Sequence, residues 1–187
     1  MNILLTGGAG YIGSTTANLL LDQGHRVTVI DNLSTGNVKN IPKKAKFLKT
    51  DIANKIKIKR LFKKNAFDII IHFAAFIDVE ESVRKPKKYI NNNYLKTKKF
   101  LEICKLYNQK KIIFSSTAAV YASNDRTSIK ENSKKKPISP YAISKYECEK
   151  YFKKDSKIKY IILRYFNVAG VDFKFRSGII SKKKALI

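Results

Sequence analysis

The sequence predicts a doubly wound, parallel α/β sheet, and three observations carry that prediction. β-branched runs alternate with helix-like stretches along the chain, the first run opens into a glycine cluster that precedes a helix, and the second run ends in an acid. Such alternation favours parallel strands joined by right-handed crossovers.

The elements follow in order. Asn2–Thr6 is a short apolar run that enters the glycines. Arg26–Ile30 is β-branched, and Ala45–Leu48 is a weaker, shorter strand. Asp68–Phe73 is continuously apolar, as expected of a parallel strand covered on both faces. Lys111–Ser115 and Lys159–Arg164 repeat the pattern. Helix-like stretches fill 11–23, 55–64, 86–107 and 140–154. In the last of these Ser139 can cap the helix and Pro140 suits its first turn. The polar region 123–139 reads as a long loop, a kind of segment that is often functional.

At 187 residues and 44% apolar, the chain supports one domain with a buried core. No run reaches the ~18–20 apolar residues of a membrane span, and Met1–Gly7 lacks the basic start and cleavage site of a signal peptide. Cys104 and Cys148 are expected to be reduced thiols of a cytoplasmic protein. His25 reads as a turn residue and His72 as structural, and no metal site is expected. The net charge of +25 invites a nucleic-acid partner. Yet only six of the 39 basic residues are arginine, the side chain that reads phosphate and base edges bidentately. The lysines are scattered beyond residue 38, so they read as a solvated surface, with no nucleic acid as partner.

The glycine cluster has the spacing G-x-x-G-x-x-G, at Gly7, Gly10 and Gly13. Gly7 permits a tight turn, Gly10 lets the backbone approach a pyrophosphate, and Gly13 lets the helix pack closely on the sheet. The helix N-terminus then offers free N–H groups and its positive dipole end to the phosphates. Asp31 stands at the right distance to accept both ribose hydroxyls and would repel a 2′-phosphate, which favours NAD over NADP. Asp51-Ile52, after the third strand, would lie beside the adenine.

Tyr141 and Lys145 lie four apart, so on a helix they share a face. A tyrosine in water, with a pKa near 10, is a poor base at neutral pH. One positive charge ~4 Å away in a medium of effective dielectric ~20 is worth roughly 4 kcal/mol, or about three pKa units. Lys145 and a bound nicotinium ring would supply such charge, making Tyr141 a general base, while Lys145 can also hold the nicotinamide ribose. Ser115, Ser116 and Thr117 end a strand, where doubly wound sheets bind ligands. Thr117 can bond a substrate hydroxyl and relay its proton to Tyr141. Ser115 and Ser116 suit strand-end backbone bonding equally well.

Taken together, these segments resemble the N-terminal part of the UDP-glucose 4-epimerase family, within the extended short-chain dehydrogenases/reductases. The resemblance runs through Thr6 to Ser14, Asp31 to Gly36, Asp51-Ile52, His72 to Ala75, Glu81 to Val83 with Lys85-Pro86, Asn91 to Asn93, Ser115 to Tyr121, Tyr141 to Lys145, and Arg164 to Gly170. It implies a Rossmann-like NAD-binding domain over 1–170 and the truncated start of a substrate domain over 171–187. The matching NAD contacts are Tyr11, Ile12, Asp31, Asn32, Leu33, Ser34, Thr35, Gly36, Asp51, Ile52, Phe73, Ala74, Ala75, Phe76, Ile77, Asn92, Ser115, Tyr141 and Lys145. Phe166 matches a residue near the nicotinamide and Asn167 a sugar-nucleotide contact. Thr117, Tyr141 and Lys145 match the catalytic triad, with Thr117 and Tyr141 on the substrate.

The implied reaction is epimerisation at C4 of a UDP-hexose through a transient 4-keto sugar. Dehydratases of the superfamily carry an Asp-Glu pair where this chain has Ala118-Ala119, which argues against dehydration. The chain departs from the family pattern at Ser14-Thr15-Thr16, which lacks a histidine, and at Tyr121-Ala122, where Tyr-Gly is usual. The alternatives are a non-catalytic NAD-binding remnant, or an epimerase of another UDP-sugar such as UDP-N-acetylglucosamine. A homodimer through parts of 86–107 and 140–154 is implied, and a separate chain supplying the substrate domain is a further expectation.

Overall fold

The computed structural model describes residues 1–121 and 128–178. Six parallel strands form one sheet in the order β3-β2-β1-β4-β5-β6. They are β1 (Asn2–Thr6), β2 (Arg26–Asp31), β3 (Lys46–Lys49), β4 (Ile69–His72), β5 (Lys111–Thr117) and β6 (Lys159–Tyr165). Each lies within two residues of its predicted bounds. The order turns outward on both sides of β1, which opens a crevice at the carboxyl ends of β1 and β4.

Period-two alternation sends the two sides of each strand into different cores. Leu4 and Ile70 face a core shared with α2 (Lys55–Lys64), α5 (Lys96–Leu106) and α6 (Pro140–Lys154), built on Ile58, Phe62, Phe100, Leu101, Cys148 and Phe152. Ile3, Leu5, Val27, Val29 and Ile71 face α1 (Tyr11–Asp22) through Ala17, Leu20 and Leu21. The cover thins toward β6, where Ile161 is 56% exposed. Cys104 and Cys148 are free, buried thiols, and burial pushes the Cys148 thiol up to about 12. Among the described residues no helix is long and apolar enough to cross a membrane.

The helix ends follow their capping signals. Asn54 accepts from the Lys57 N–H at 3.0 Å and Ser139 from the Ala142 N–H at 3.1 Å. The predicted helix over 86–107 is not continuous. It is α4 (Pro86–Tyr89), a π-helical turn over Ile90–Leu95, and then α5. The widened turn surrounds Asn93, whose buried side chain bonds outside the helix, and π turns recur where a helix is re-aimed for a site. A short helix, α3 (Val79–Arg84), was not anticipated. Its Asp78 cap accepts from the Glu81 N–H at 2.8 Å, but Val79 and Val83 are exposed, so it has no apolar stripe to read.

Part of the expected 123–139 loop, residues 122–127, lies outside the described residues, as do 179–187 at the chain end. The loop's return is anchored by an antiparallel bridge between Tyr121 and Lys135. After β6 the described chain has no regular element and runs back along α1. Tyr11 donates its hydroxyl hydrogen to the Gly170 carbonyl, and Thr15 and Ser177 share a hydroxyl bond at 3.0 Å. Arg176 forks onto both Asp172 and Asp22, with bonds from 2.7 to 3.0 Å.

Candidate active site

Glycine packing builds the first part of the site. Gly7 has φ +74°, and a Cβ there would stand 2.6 Å from the Ala74 nitrogen, so only glycine closes this turn. A Cβ on Gly13 would meet the Gly7 carbonyl oxygen at 2.3 Å, which is the close helix–strand packing expected of it. Gly10 is the N-cap of α1 and no side chain caps the first turn, the arrangement in which a helix N-terminus can take an anion.

The acid ending β2 braces this loop. Asp31 accepts from the Ala9 N–H at 3.0 Å through one oxygen and from the Leu33 N–H at 2.7 Å through the other. Leu33 takes φ +60°, a turn held by that bond and by the Ser34 N–H donating to Asn32 at 3.0 Å. Gly36 packs on Ala9, where its Cβ would stand 2.8 Å from the Ala9 Cβ. One strand further out, Asn32 donates to Asp51 at 3.2 Å. Phe73 and Ala74 close the other side, the Phe73 N–H donating to the Thr6 carbonyl at 3.0 Å. The segments 7–13, 31–36, 51–52 and 73–77 thus meet along one edge of the sheet. Ile52 is the exception in kind: its side chain lies in the core.

A second cluster stands at the end of β5. The Tyr141 phenol lies near the Thr117 hydroxyl, which favours its ionised form. Lys145, 3% exposed, donates to the Ser115 carbonyl at 2.7 Å. Ser115 therefore serves through its backbone, and Ser116 donates to Glu149 at 2.6 Å. Tyr165 pairs in register with Thr117, so Phe166 and Asn167 follow just beyond that threonine. Both are exposed, Phe166 by 74%.

One electrostatic expectation is corrected. Lys145 was expected to depress the Tyr141 phenol, yet burial raises it, with only the Thr117 hydrogen bond pulling it back. Burial also pushes the Lys145 ammonium down to about 8, and one of its N–H groups is directed at the Ser115 carbonyl. His72 is structural, as expected: it is fully buried, bonded to Thr6 at 2.7 Å and Thr97 at 2.9 Å, and lies between the Phe100 and Phe114 rings. Desolvation holds it down to about 3, hence neutral.

Three residues that matter here were not singled out in the sequence. Asn93, next to the expected Asn92, accepts from the Phe76 N–H at 2.8 Å and donates to the Phe76 carbonyl at 2.9 Å and Ser144 at 3.1 Å. It latches the 73–77 segment to the helix carrying Tyr141 and Lys145. Glu149 is fully buried and takes a forked pair of bonds from Arg164 at 2.9 and 2.7 Å. Its position, one helical step beyond Tyr141 and Lys145, was a readable signal. Lys96 bonds Asp51 at 2.6 Å across two elements, which no local pattern reveals.

The cradle fits a dinucleotide diphosphate: its glycines leave no room for side chains, a helix N-terminus faces it, and a carboxylate stands one strand away. Comparison with known proteins agrees. Residues 3–184 match the model of the NAD dependent epimerase/dehydratase family. The chain is 43% identical over 175 residues to a UDP-glucose 4-epimerase of Streptococcus mutans, covering 91% of this chain and 53% of that protein. It is 40% identical over 189 residues to a probable UDP-arabinose 4-epimerase 3 of Arabidopsis thaliana, covering 95% and 46%. Among solved structures, UDP-glucose 4-epimerase from Brucella ovis in complex with NAD superposes with a TM-score of 0.89 at 39% identity, covering 92% of this chain and 54% of that one. The chain spans about half the length of the curated relatives it matches. It belongs to the NAD dependent epimerase/dehydratase family.

Proposed function

We propose that the chain holds NAD along the edge formed by β1, β2 and β3 and carries the chemistry of C4 epimerisation of a UDP-hexose, UDP-glucose or UDP-galactose. The observation that supports this most is the gathering of Thr117, Tyr141 and Lys145 at the end of β5, latched through Asn93 to the segment beside the glycine cradle. Residues 1–170 form the NAD-binding unit in this reading and 171–187 begin a substrate unit.

NAD held by the glycine cradle and Asp31 would supply a reversible hydride acceptor for C4 of the sugar. Tyr141 takes the C4 hydroxyl proton, with the neighbouring Thr117 hydroxyl placed to relay it, and gives it back after the sugar has turned. Its raised phenol makes it a stronger base once ionised and a scarce one at neutral pH, so added positive charge near it speeds the reaction. Lys145 supplies part of that charge, being close to half protonated near pH 8, and its remaining N–H groups are free to bond the nicotinamide ribose. Asp31 has lone pairs left for the adenine ribose after serving Ala9 and Leu33. Asn167 and Phe166 flank the sugar side. Exposed Leu95 and Leu106 suit the expected dimer through the helices of 86–107 and 140–154, and the buried free thiols suit a reducing cytoplasm.

The test is conversion of UDP-galactose to UDP-glucose by the purified chain, beside Tyr141→Phe. Turnover that falls by about 10²-fold or more in the variant supports the reading. A folded, NAD-binding sample with no turnover leaves an NAD-binding unit without independent activity. Turnover of UDP-N-acetylglucosamine or a UDP-pentose in place of UDP-galactose moves the substrate and keeps the chemistry.

A further inference from the structure

The purine end of the site carries a charge pair that the dinucleotide reading does not require. A dinucleotide with its diphosphate at β1 and its ribose at β2 places its base at the end of β3, where Asp51 stands. Asp51 is not a bare acceptor. Its Oδ2 takes Lys96 Nζ at 2.6 Å and Asn32 Nδ2 at 3.2 Å, while its Oδ1 takes the Ala53 N–H at 2.9 Å. Lys96 begins α5, directly after the π-helical turn, and both partners are under a third exposed. An acceptor and a donor therefore stand side by side where the six-membered ring of a purine would end.

Two purines present opposite edges to such a pair. Adenine offers a 6-amino donor. Hypoxanthine offers a 6-oxo acceptor beside an N1–H donor, which is the complement of an ammonium beside a carboxylate. We propose that Lys96 makes this site tolerant of 6-oxopurine dinucleotides, Asp51 accepting from adenine's amino group or hypoxanthine's N1–H, and Lys96 donating to hypoxanthine's 6-oxo group. The inference rests on the reading that places the base at Asp51.

The experiment compares binding of NAD and nicotinamide hypoxanthine dinucleotide to the 187-residue chain by titration calorimetry. The wild type, Lys96→Met and Lys96→Arg are run together, with circular dichroism melts to show that each is folded. The wild type should bind the two dinucleotides within about threefold of each other, and Lys96→Met should weaken the hypoxanthine form about tenfold or more relative to NAD, since a charge-assisted bond is lost. Lys96→Arg retains a donor and should keep the tolerance. A wild-type preference for NAD above about tenfold, or a ratio unmoved by Lys96→Met, overturns the assignment to Lys96 while leaving NAD binding intact. Failure of the folded wild type to bind NAD at all overturns the dinucleotide reading and this inference with it.

Discussion

The glycine-cradle side of this site and the side proposed for the sugar are built differently. On the cofactor side, Gly7, Ala9, Asp31, Gly36 and Asp51 hold one another through bonds of 2.7 to 3.2 Å and backbone approaches that exclude a Cβ. On the sugar side, Phe166 and Asn167 stand in solvent, and the segment that follows carries Phe173 and Phe175 at 96% and 84% exposure. The first side is preorganised, because each group's position is fixed by other parts of the same sheet. The second presents side chains whose positions the surrounding chain does not fix. Preorganisation lowers the ordering cost of binding, so the two sides should differ in affinity for their ligands.

The comparison can be broken most forcefully at Gly13. Gly13→Val puts side-chain carbon against the Gly7 carbonyl, and it should abolish measurable NAD binding and cost about 3 kcal/mol or more in urea unfolding. Next is the seam between the two sides. Glu149→Ala strips Arg164 of its forked partner and Ser116 of its acceptor, and should cost about 3 kcal/mol by the same measurement. Glu149→Gln, which keeps acceptors, should cost less.

A smaller effect has the opposite sign. Burial lowers Lys145 from 10.5 to about 8, so the unfolded chain holds this proton more tightly and the buried ammonium destabilises the fold below pH 8. That penalty fades as pH rises from 8 toward 10.5. Lys145→Met should therefore stabilise the protein by about 2 kcal/mol at pH 7, after the lost Ser115 bond is allowed for. The gain should shrink in melts taken at rising pH, and turnover should be lost. Smallest of all, Phe173→Ser with Phe175→Ser should change stability by under about 0.5 kcal/mol and leave NAD affinity unmoved, because both rings already face solvent.

Much of the cofactor side was legible in the sequence, because its devices are local. Glycine spacing, an acid ending a strand, and Ser139-Pro140 ahead of a helix each announce their own geometry. What escaped depends on distance in the chain. Lys96 reaches Asp51 across 45 positions, and Ser116 meets Glu149 across 33. The π turn at Ile90–Leu95 was hidden because helical periodicity continues through it on both sides. The tyrosine's protonation was misjudged for a related reason. Spacing places Lys145 on its face of the helix, but only the fold reveals that burial of the phenol dominates and that Lys145 donates to the Ser115 carbonyl.

The most direct test is a pair of titrations on one sample, first NAD and then UDP-glucose into the NAD-loaded chain. The account predicts a single NAD site and UDP-glucose binding at least about tenfold weaker than NAD, as expected of one preorganised side and one open side. UDP-glucose binding as tightly as NAD, or a folded chain that takes up no NAD, would contradict it.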